Sequence, residues 1–273
     1  MVHDFTKLFR LDSRQWLCPC WKRIQRRQSP FIHNQAFMFG LTNTERPAGE
    51  PQPQRSSARR RPLAVRKPRE PQSAAVNRSA RLRVIPLGGV GEFGRNCMVV
   101  EYGKDMILID MGFMFPNETM PGVDYVLPDI AYVKKNKHKL RGVFITHGHL
   151  DHTGALPYLL REIGMPTVYG TKLTLGMIRD RLEEFKLEHQ VKLAEVHPDD
   201  KVQLGVFTLT FFRVNHNIPD SVGVAVKTPV GVIIHTGDWK FDHTPQDQRP
   251  TEFGKLARLG EEGVLLLCSD STR

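Results

Sequence analysis

The stretch Thr146-His147-Gly148-His149-Leu150-Asp151-His152 holds three imidazoles and one carboxylate within six residues, directly after the apolar run at 142–145. Neutral imidazole and carboxylate are the ligands that zinc takes in proteins when thiolates are absent. Glycine between the first two histidines allows backbone angles that other residues avoid, so that both imidazoles can turn toward one ion. We therefore interpret this stretch as the core of a metal site rather than as a polar loop that faces water.

Four ligands this close together cannot all reach one tetrahedral ion without strain. Two neighbouring ions explain the cluster better, with His147 and His149 on one ion and Asp151 and His152 on the other. A site with two ions needs a carboxylate between them, and Asp238 suits that role because each of its oxygens can bind one ion.

Three further polar residues stand where predicted strands end, namely Asp110, His216 and Asp238. Taken singly, each of them is also typical of an ordinary turn or loop. Together with the histidine cluster they follow one rule, because every candidate ligand lies at the C-terminal end of a predicted strand. The sequence therefore predicts that these distant residues complete the site.

The alternation of apolar and polar residues predicts a mixed α/β fold with strands in the majority. The final strand is expected to be buried, and the third helix is expected to direct Leu173, Met177, Ile178 and Leu182 inward. The predicted strands are 82–87, 97–102, 106–110, 142–145, 206–214, 221–227, 232–235 and 263–268, and the predicted helices are 128–140, 153–163 and 171–185.

The glycines at 89, 91 and 94 have the spacing of a dinucleotide-binding loop. That loop requires a helix directly after the glycines, so that the helix N-terminus faces pyrophosphate. The next segment, 97–102, is instead rich in strand-forming residues, and a further strand follows it. This order predicts an antiparallel meander and argues against a dinucleotide site.

Charge divides the chain into two parts. Residues 1–80 contain 16 Lys/Arg against 5 Asp/Glu, whereas residues 81–273 are close to neutral. Proline and like charges prevent the first part from forming a core, so we predict a disordered basic extension over 1–80 and a folded domain over 81–273. The extension is typical either of a segment attracted to phosphate backbones or of a linker without a partner. Four scattered cysteines and the absence of a long apolar run indicate a reducing, cytoplasmic setting and no membrane span.

The ordered set of Asp110, the 147–152 string, His216 and Asp238 resembles the metal-site motifs of the metallo-β-lactamase superfamily. Four further stretches narrow the resemblance to the ribonuclease J family, in the β-CASP branch of nucleases. These stretches are Pro86-Leu87-Gly88-Gly89-Val90-Gly91-Glu92, Asn215-His216-Asn217-Ile218-Pro219-Asp220-Ser221, His235-Thr236-Gly237-Asp238 and Ser269-Asp270-Ser271-Thr272.

The resemblance implies an αββα sandwich with two zinc ions at one edge, acting on RNA as a 5′→3′ exonuclease and endonuclease in an assembly of identical subunits. It implies that His147, His149 and His216 hold the first ion and that Asp151 and His152 hold the second. It further implies that Asp238 bridges the ions and that Asp110 supports the cluster through hydrogen bonds. The catalytic candidates are Asp110, Asp151 and Asp238, and the candidates for substrate binding are Ser271 and Thr272.

One departure from the family pattern bears on activity. Members of that family carry an inserted β-CASP domain, a further ligand histidine and a C-terminal part beyond the point matched by Arg273. The sequence therefore predicts an incomplete sandwich and an incomplete second zinc site. Two alternatives stay open: a hydrolase of small molecules such as thioesters with the same fold, and an RNA-binding module without catalysis.

Overall fold

The computed structural model describes residues 80–270, and it arranges them as two mixed β-sheets with helices on both outer sides. The first sheet has the order β1-β2-β3-β4-β5-β6 and the second has the order β11-β10-β9-β8-β7. The strands are β1 (Leu82–Gly88), β2 (Cys97–Tyr102), β3 (Asp105–Ile109), β4 (Leu140–Phe144), β5 (Val168–Gly170), β6 (Leu193–Glu195), β7 (Lys201–Leu204), β8 (Phe207–Arg213), β9 (Val222–Thr228), β10 (Gly231–His235) and β11 (Val264–Cys268). The helices are α1 (Ala131–Lys135), α2 (Leu150–Thr153), α3 (Leu156–Leu159), α4 (Lys172–Glu184) and α5 (Phe253–Glu262).

Alternating side chains of the strands fill separate cores, as the two-residue period of a strand requires. On β3, Leu108 faces the helices of the first sheet, whereas Ile107 and Ile109 face the second sheet. On β9, Val224 faces the first sheet and Ala225 faces the opposite side, toward α5. Three cores between four layers give the αββα arrangement that the family resemblance implies.

The predicted antiparallel meander is confirmed, since β1 pairs with β2 and β2 with β3 in antiparallel fashion. The glycine segment between β1 and β2 forms bends rather than a helix. The predicted hairpin is confirmed as well, with β9 and β10 antiparallel.

The predicted helix 153–163 is wrong as a single element. The chain instead forms α2, which begins earlier and already includes Asp151 and His152, and then α3. Pro157 stands in the first turn of α3, where its missing N–H breaks no helical hydrogen bond but where it could not continue α2. The predicted helix 128–140 is also shorter, because only α1 and a 3₁₀ turn at Lys137–Lys139 form.

The predicted inward face of α4 needs correction. Ile178 and Leu182 are buried, but Leu173 and Met177 are 41% and 40% exposed. The true inner stripe starts with Thr174 and Leu175. An error of one or two residues in helix phase arises easily when both faces carry apolar residues.

The predicted burial of the last strand is wrong. In β11 the side chains of Leu265 and Leu267 are 52% and 58% exposed. This strand is the edge of its sheet and pairs only with β10, in parallel orientation. Among residues 80–270 no element covers the other side of this strand. The apolar composition of β11 predicted burial because it does not reveal that the strand lies at the edge of its sheet.

Four elements were not predicted from the sequence, namely the short strands β5, β6 and β7 and the helix α5. The three strands have three or four residues each, too few to display a period. Helix α5 buries none of its residues completely, and only its partly buried leucines pack against the second sheet. No helix within the described residues is long and apolar enough to cross a membrane.

A buried ionic cluster joins β2 to α1. The side chain of Glu101 is fully buried, and it accepts hydrogen bonds from Arg83, Lys139 and the Tyr132 hydroxyl. Burial by itself raises the pKa of this carboxyl, but the bond from Tyr132 and the charges of Lys139 and Arg83 outweigh burial and lower the pKa. A carboxyl with a lowered folded-state pKa stabilises the fold above its ordinary pKa and loses that contribution as the pH falls.

We therefore expect Glu101→Gln to lower the free energy of unfolding by about 1–3 kcal/mol at neutral pH, because three donors lose a charged acceptor. Urea denaturation at several pH values measures the effect, and the difference from the wild type should shrink below about pH 4. The exposed Glu183→Gln serves as the control and should change little. A difference that stays constant down to pH 3 would contradict the assigned role of the charge.

Candidate metal centre

The site lies where strands of both sheets end. Asp110 follows β3, and the cluster that starts at His147 follows β4 in the first sheet. His216 and Asp238 follow β8 and β10 in the second sheet. The two sheets therefore contribute separate sets of ligand-type residues to one edge of the sandwich, as the rule of strand ends predicts.

The structure brings His147, His149, His216 and Asp238 together in a first group. The Nδ1 atom of His149 lies 3.1 Å from His147 Nε2 and 3.2 Å from His216 Nε2. The Oδ2 atom of Asp238 lies 3.6 Å from His216 Nε2 and 4.0 Å from His147 Nε2. Three imidazole nitrogens thus converge on one small volume with a carboxylate oxygen beside them.

A second group consists of Asp151, His152 and again Asp238. The Nε2 atom of His152 lies 3.2 Å from Asp238 Oδ1 and 3.6 Å from Asp151 Oδ2. Asp238 therefore offers one carboxylate oxygen to each group, because its Oδ2 faces the first set of histidines. This arrangement matches the division into two pairs and a shared carboxylate that the sequence predicts.

Glycine before Asp238 is required by the fold. Gly237 has a φ of +60°, and a Cβ atom on it would lie 2.9 Å from the Cβ atom of Thr146. The close contact between the two strand ends therefore leaves no room for a side chain at this position. This contact brings the carboxylate from the second sheet next to the histidines of the first.

Asp110 stands behind the groups rather than within them. It is 1% exposed, has a φ of +60°, and accepts hydrogen bonds from the backbone N–H and the hydroxyl of Thr146. Its Oδ2 lies 2.9 Å from Nδ1 of His152. A proton held on Nδ1 by this carboxylate leaves Nε2 of the same ring as a free ligand atom, which is the usual support of a metal-binding histidine.

The electrostatics of the site favour an unprotonated nitrogen in the first group and a charge pair in the second. Burial, together with the nearby His152, lowers the pKa of His147 to about 2, so its Nε2 keeps a lone pair. Burial also lowers the pKa of His152, but the charge and hydrogen bond of Asp110 and the contact with Asp238 outweigh it and raise the pKa to about 10. A proton and a metal ion are thus alternative occupants of His152 Nε2.

The two carboxylates of the groups respond differently to the same surroundings. Burial raises the pKa of Asp238, but the hydrogen bond from His152 and the charges of the histidines outweigh it and lower the pKa to about 2. For Asp151 burial dominates and raises the pKa. Asp238 is therefore ionised at neutral pH, as a shared metal ligand would need to be.

The loop that carries His216 is attached to helix α4. Asp220 Oδ2 accepts the backbone N–H of Leu173, and the carbonyl oxygen of Asp220 accepts the hydroxyl of Thr171. Both bonds lie at the start of α4, where backbone N–H groups lack helical partners. These bonds fix the loop to α4, which packs on the first sheet. The loop in this position keeps His216 beside His149.

Asn96 is a site residue that the sequence analysis missed. Its Nδ2 atom lies 3.0 Å from His152 Nε2 and 3.3 Å from Asp151 Oδ2. An asparagine after a glycine-rich segment carries no ligand signal of its own, so only the folded arrangement reveals its position. The second group and Asn96 open into a cavity of about 740 Å³ between the glycine segment and β11.

The donor set fits a pair of zinc ions. The imidazole nitrogens of the first group face one another without an oxygen acceptor between them, and such nitrogens repel each other unless a proton or a cation lies there. Nitrogen and carboxylate oxygen ligands in these proportions are those that zinc prefers. The substrate-binding candidates Ser271 and Thr272 lie outside the described residues, as does nearly all of the predicted extension over 1–80.

Comparison with known proteins agrees with this geometry. A family profile described as the metallo-beta-lactamase superfamily matches residues 90–252. Ribonuclease J of Thermus thermophilus is 46% identical over 198 residues, which cover 70% of this chain and 34% of that protein. Ribonuclease J of a Synechocystis species is 44% identical over 192 residues, which cover 70% of this chain and 30% of that protein.

The chain thus spans about a third of the length of the curated relatives that it matches. Among solved structures, the metallo-beta-lactamase fold protein YhfI from Bacillus subtilis superposes with a TM-score of 0.43 at 18% identity, over 60% of this chain and 64% of that one. The matched profile includes both ligand groups, from His147 to Asp238.

Proposed function

Because the chain belongs to the metallo-β-lactamase superfamily, we propose that its two ligand groups form a dinuclear zinc centre that hydrolyses phosphodiester bonds in RNA. The observation that carries the proposal is the position of Asp238, which offers one oxygen to each group. The identity of 42–46% with ribonucleases J supports RNA as the substrate class. Cleavage as a 5′→3′ exonuclease and as an endonuclease is part of the proposal through the family resemblance alone.

In this proposal, His147, His149 and His216 would hold the first ion, Asp151 and His152 would hold the second, and Asp238 would contribute to both. When bound, two zinc ions acidify a water molecule toward neutral pH and neutralise charge on the phosphate oxygens.

Asp110 acts through His152, because its carboxylate holds the proton on Nδ1 and so directs Nε2 toward the ion. It is therefore a positioning residue, although the sequence analysis placed it among the catalytic candidates. Asp151 lines the cavity, where a substrate would approach, and its role among the catalytic candidates stays part of the proposal. Contacts of Ser271 and Thr272 with the substrate stay part of the proposal, as do a cytoplasmic location and an assembly of identical subunits.

The proposal is tested by incubating the zinc-loaded protein with 5′-monophosphorylated RNA and, in parallel, with thioesters. We expect two zinc ions per chain and cleavage of RNA only. Turnover of thioesters alone would assign the site to small-molecule hydrolysis. Fewer than one zinc ion per chain, together with salt-sensitive RNA binding and no cleavage, would favour an RNA-binding module.

A single ligand substitution tests the first group. His149→Ala removes the imidazole that lies between His147 and His216, so we expect the first ion to be lost and RNA cleavage to fall at least about 100-fold. Zinc content by atomic emission and cleavage of labelled RNA measure both effects. His189→Ala is the matched control, because His189 is exposed and distant in sequence from the site. Unchanged zinc content in His149→Ala would refute the assignment of this ligand.

A further inference from the structure

The segment from residue 130 to residue 142 carries a positive charge that the candidate metal centre does not use. It contains five Lys/Arg, one His and no Asp or Glu. Lysine-rich helical surfaces usually carry carboxylates three or four residues away, and these pair with the lysines. Here Lys135 and Lys139, and likewise Lys134 and His138, are like charges four residues apart. Their repulsion is relieved when an anion binds beside them.

The fold adds cations from other segments to this charge. Lys104 lies on the turn between β2 and β3, and its carbonyl oxygen accepts a hydrogen bond from Arg141 at the start of β4. Arg83 on β1 and Lys139 both pair with the buried Glu101. We call the resulting surface the basic edge, and it consists of Arg83, Lys104, Lys135, Lys137, Lys139 and Arg141.

The carboxylates within the basic edge are buried and already paired. Besides Glu101, the edge contains Asp105, which accepts hydrogen bonds from the Arg141 guanidinium and from the backbone N–H of Val206. The exposed side chains of Lys104, Lys135 and Lys137 form no ion pair with any residue from 80 to 270. Three ammonium groups are therefore available to an external anion.

The basic edge lies opposite the candidate metal centre. It surrounds the beginnings of β3 and β4, whereas the ligand-type residues follow the ends of these strands. A strand of five residues is about 16 Å long, so these lysines cannot reach a phosphate held at the metal centre. Because β11 is parallel to β10, the last described residues also lie at the metal end of the sheets. The basic edge therefore fits a part of a bound molecule that is distant from the reacting bond.

The surroundings of the basic edge favour a nucleic-acid backbone over a lipid surface. Protein segments that lie on membranes combine lysines with exposed large apolar side chains. Within 130–142 no large apolar side chain is exposed, and Val133 is completely buried. The Tyr132 hydroxyl and Lys139 both bond to Glu101, so the segment is held in place before any ligand binds. Lysines on such a fixed backbone bind phosphates with a smaller loss of entropy.

We propose that the basic edge binds the phosphate backbone of single-stranded RNA at a distance from the bond that is cleaved. This inference rests on the proposed function for the identity of the ligand, and it adds a second contact surface for the same substrate. Lysine contacts with phosphates do not depend on base sequence. The surface therefore selects RNA by length, because only a long strand reaches both the metal centre and the basic edge.

Binding of fluorescent single-stranded RNA to the full chain tests the inference. Every chain in this titration also carries His149→Ala, so that the RNA is not cleaved. Lys135→Glu combined with Lys137→Glu should raise the Kd for an RNA of about 30 nucleotides roughly 10-fold. The same pair should reduce the slope of log K against log salt by about 1.4, since each lost phosphate contact of a single strand contributes about 0.7. With His149 intact, the pair should leave cleavage of a trinucleotide unchanged, because this substrate is too short to reach the basic edge.

A second variant and a matched control separate the surface from net charge. Lys104→Glu changes a different segment of the basic edge and should raise the Kd for the long RNA about 3-fold by itself. Lys201→Glu combined with Arg258→Glu makes the same change in charge as the first pair. Both residues are exposed, and they lie on β7 and α5 beside the second sheet. This control pair should change the Kd for the long RNA less than about 2-fold.

Equal weakening by the control pair would overturn the inference, because net charge would then explain the effect. Unchanged RNA affinity in the first pair would overturn it as well. If that pair instead lost binding to vesicles of phosphatidylserine and phosphatidylcholine, the basic edge would be a lipid-binding surface. The proposed function fails separately, when the zinc-loaded wild type does not cleave RNA, and a selective loss of affinity in the first pair would even then support the basic edge.

Discussion

Asp238→Ala is expected to remove both metal ions and to reduce RNA cleavage at least about 1,000-fold, a larger effect than the loss of any single histidine. Its two oxygens face different ligand groups, so one truncation removes a ligand from each. It also leaves His152 without the carboxylate oxygen that lies 3.2 Å from its Nε2. Metal content by atomic emission, measured together with cleavage of 5′-monophosphorylated RNA, gives the two readouts.

The same loop offers a matched control for this substitution. Asp242 lies four residues downstream, forms an ion pair with Lys240, accepts the backbone N–H of Thr244, and belongs to neither ligand group. Asp242→Ala should therefore keep two zinc ions and normal cleavage. If Asp238→Ala retained one ion with full affinity, Asp238 would belong to a single group, and the shared carboxylate would have to be abandoned.

Gly112→Ala is expected to have the largest effect on stability, with a loss of about 3–5 kcal/mol in the free energy of unfolding. A Cβ atom on Gly112 would lie 1.5 Å from the carbonyl oxygen of Asp151, so the backbone of α2 must move away. The same movement displaces the ligands Asp151 and His152, and binding of the second ion should weaken with the fold. Urea denaturation and zinc titration measure the two consequences.

For Gly176 we expect a substitution by alanine to stabilise the fold, in contrast to Gly112. Gly176 lies within α4, and a Cβ atom on it would have no neighbour within 4 Å. Gly176→Ala should therefore raise the free energy of unfolding by about 0.5–1 kcal/mol, because alanine favours the helix. Equal destabilisation by both substitutions would show that the close contact at Gly112 is not the cause of its effect.

The positions of the candidate ligands were predictable from the sequence because each of them directly follows the end of a strand. An apolar run that stops at a His or an Asp locates both the element and the side chain, and the carboxyl ends of β4, β8 and β10 meet at one edge. Asp238 illustrates this, since its place in both groups follows from the position of its strand in the second sheet. The meander over β1 to β3 was predictable for a similar reason, because apolar segments with short connections pair as neighbours.

The features that the sequence did not predict depend on tertiary contacts, which a local sequence pattern does not show. The sequence around Asn96 contains no ligand motif. Its position at the site is visible only in the folded chain, where its amide lies beside Asp151, 55 residues away. The exposure of β11 depends on what lies beside the strand rather than on its own leucines. Leu173 and Met177 show the same limit at the level of one helix, since an apolar side chain can lie on either face when the phase is uncertain.

The origin of the ligands has a consequence for the folding of the chain. The string at 147–152 belongs to the first sheet, whereas His216 and Asp238 belong to the second, so neither sheet alone holds a complete ligand group. An ion that binds only the docked pair of sheets stabilises their docking by the free energy of its own binding. The proposed metal centre would therefore also join the two halves of the sandwich, and the concentration of the metal ion around the protein would help to set how stably the halves stay docked.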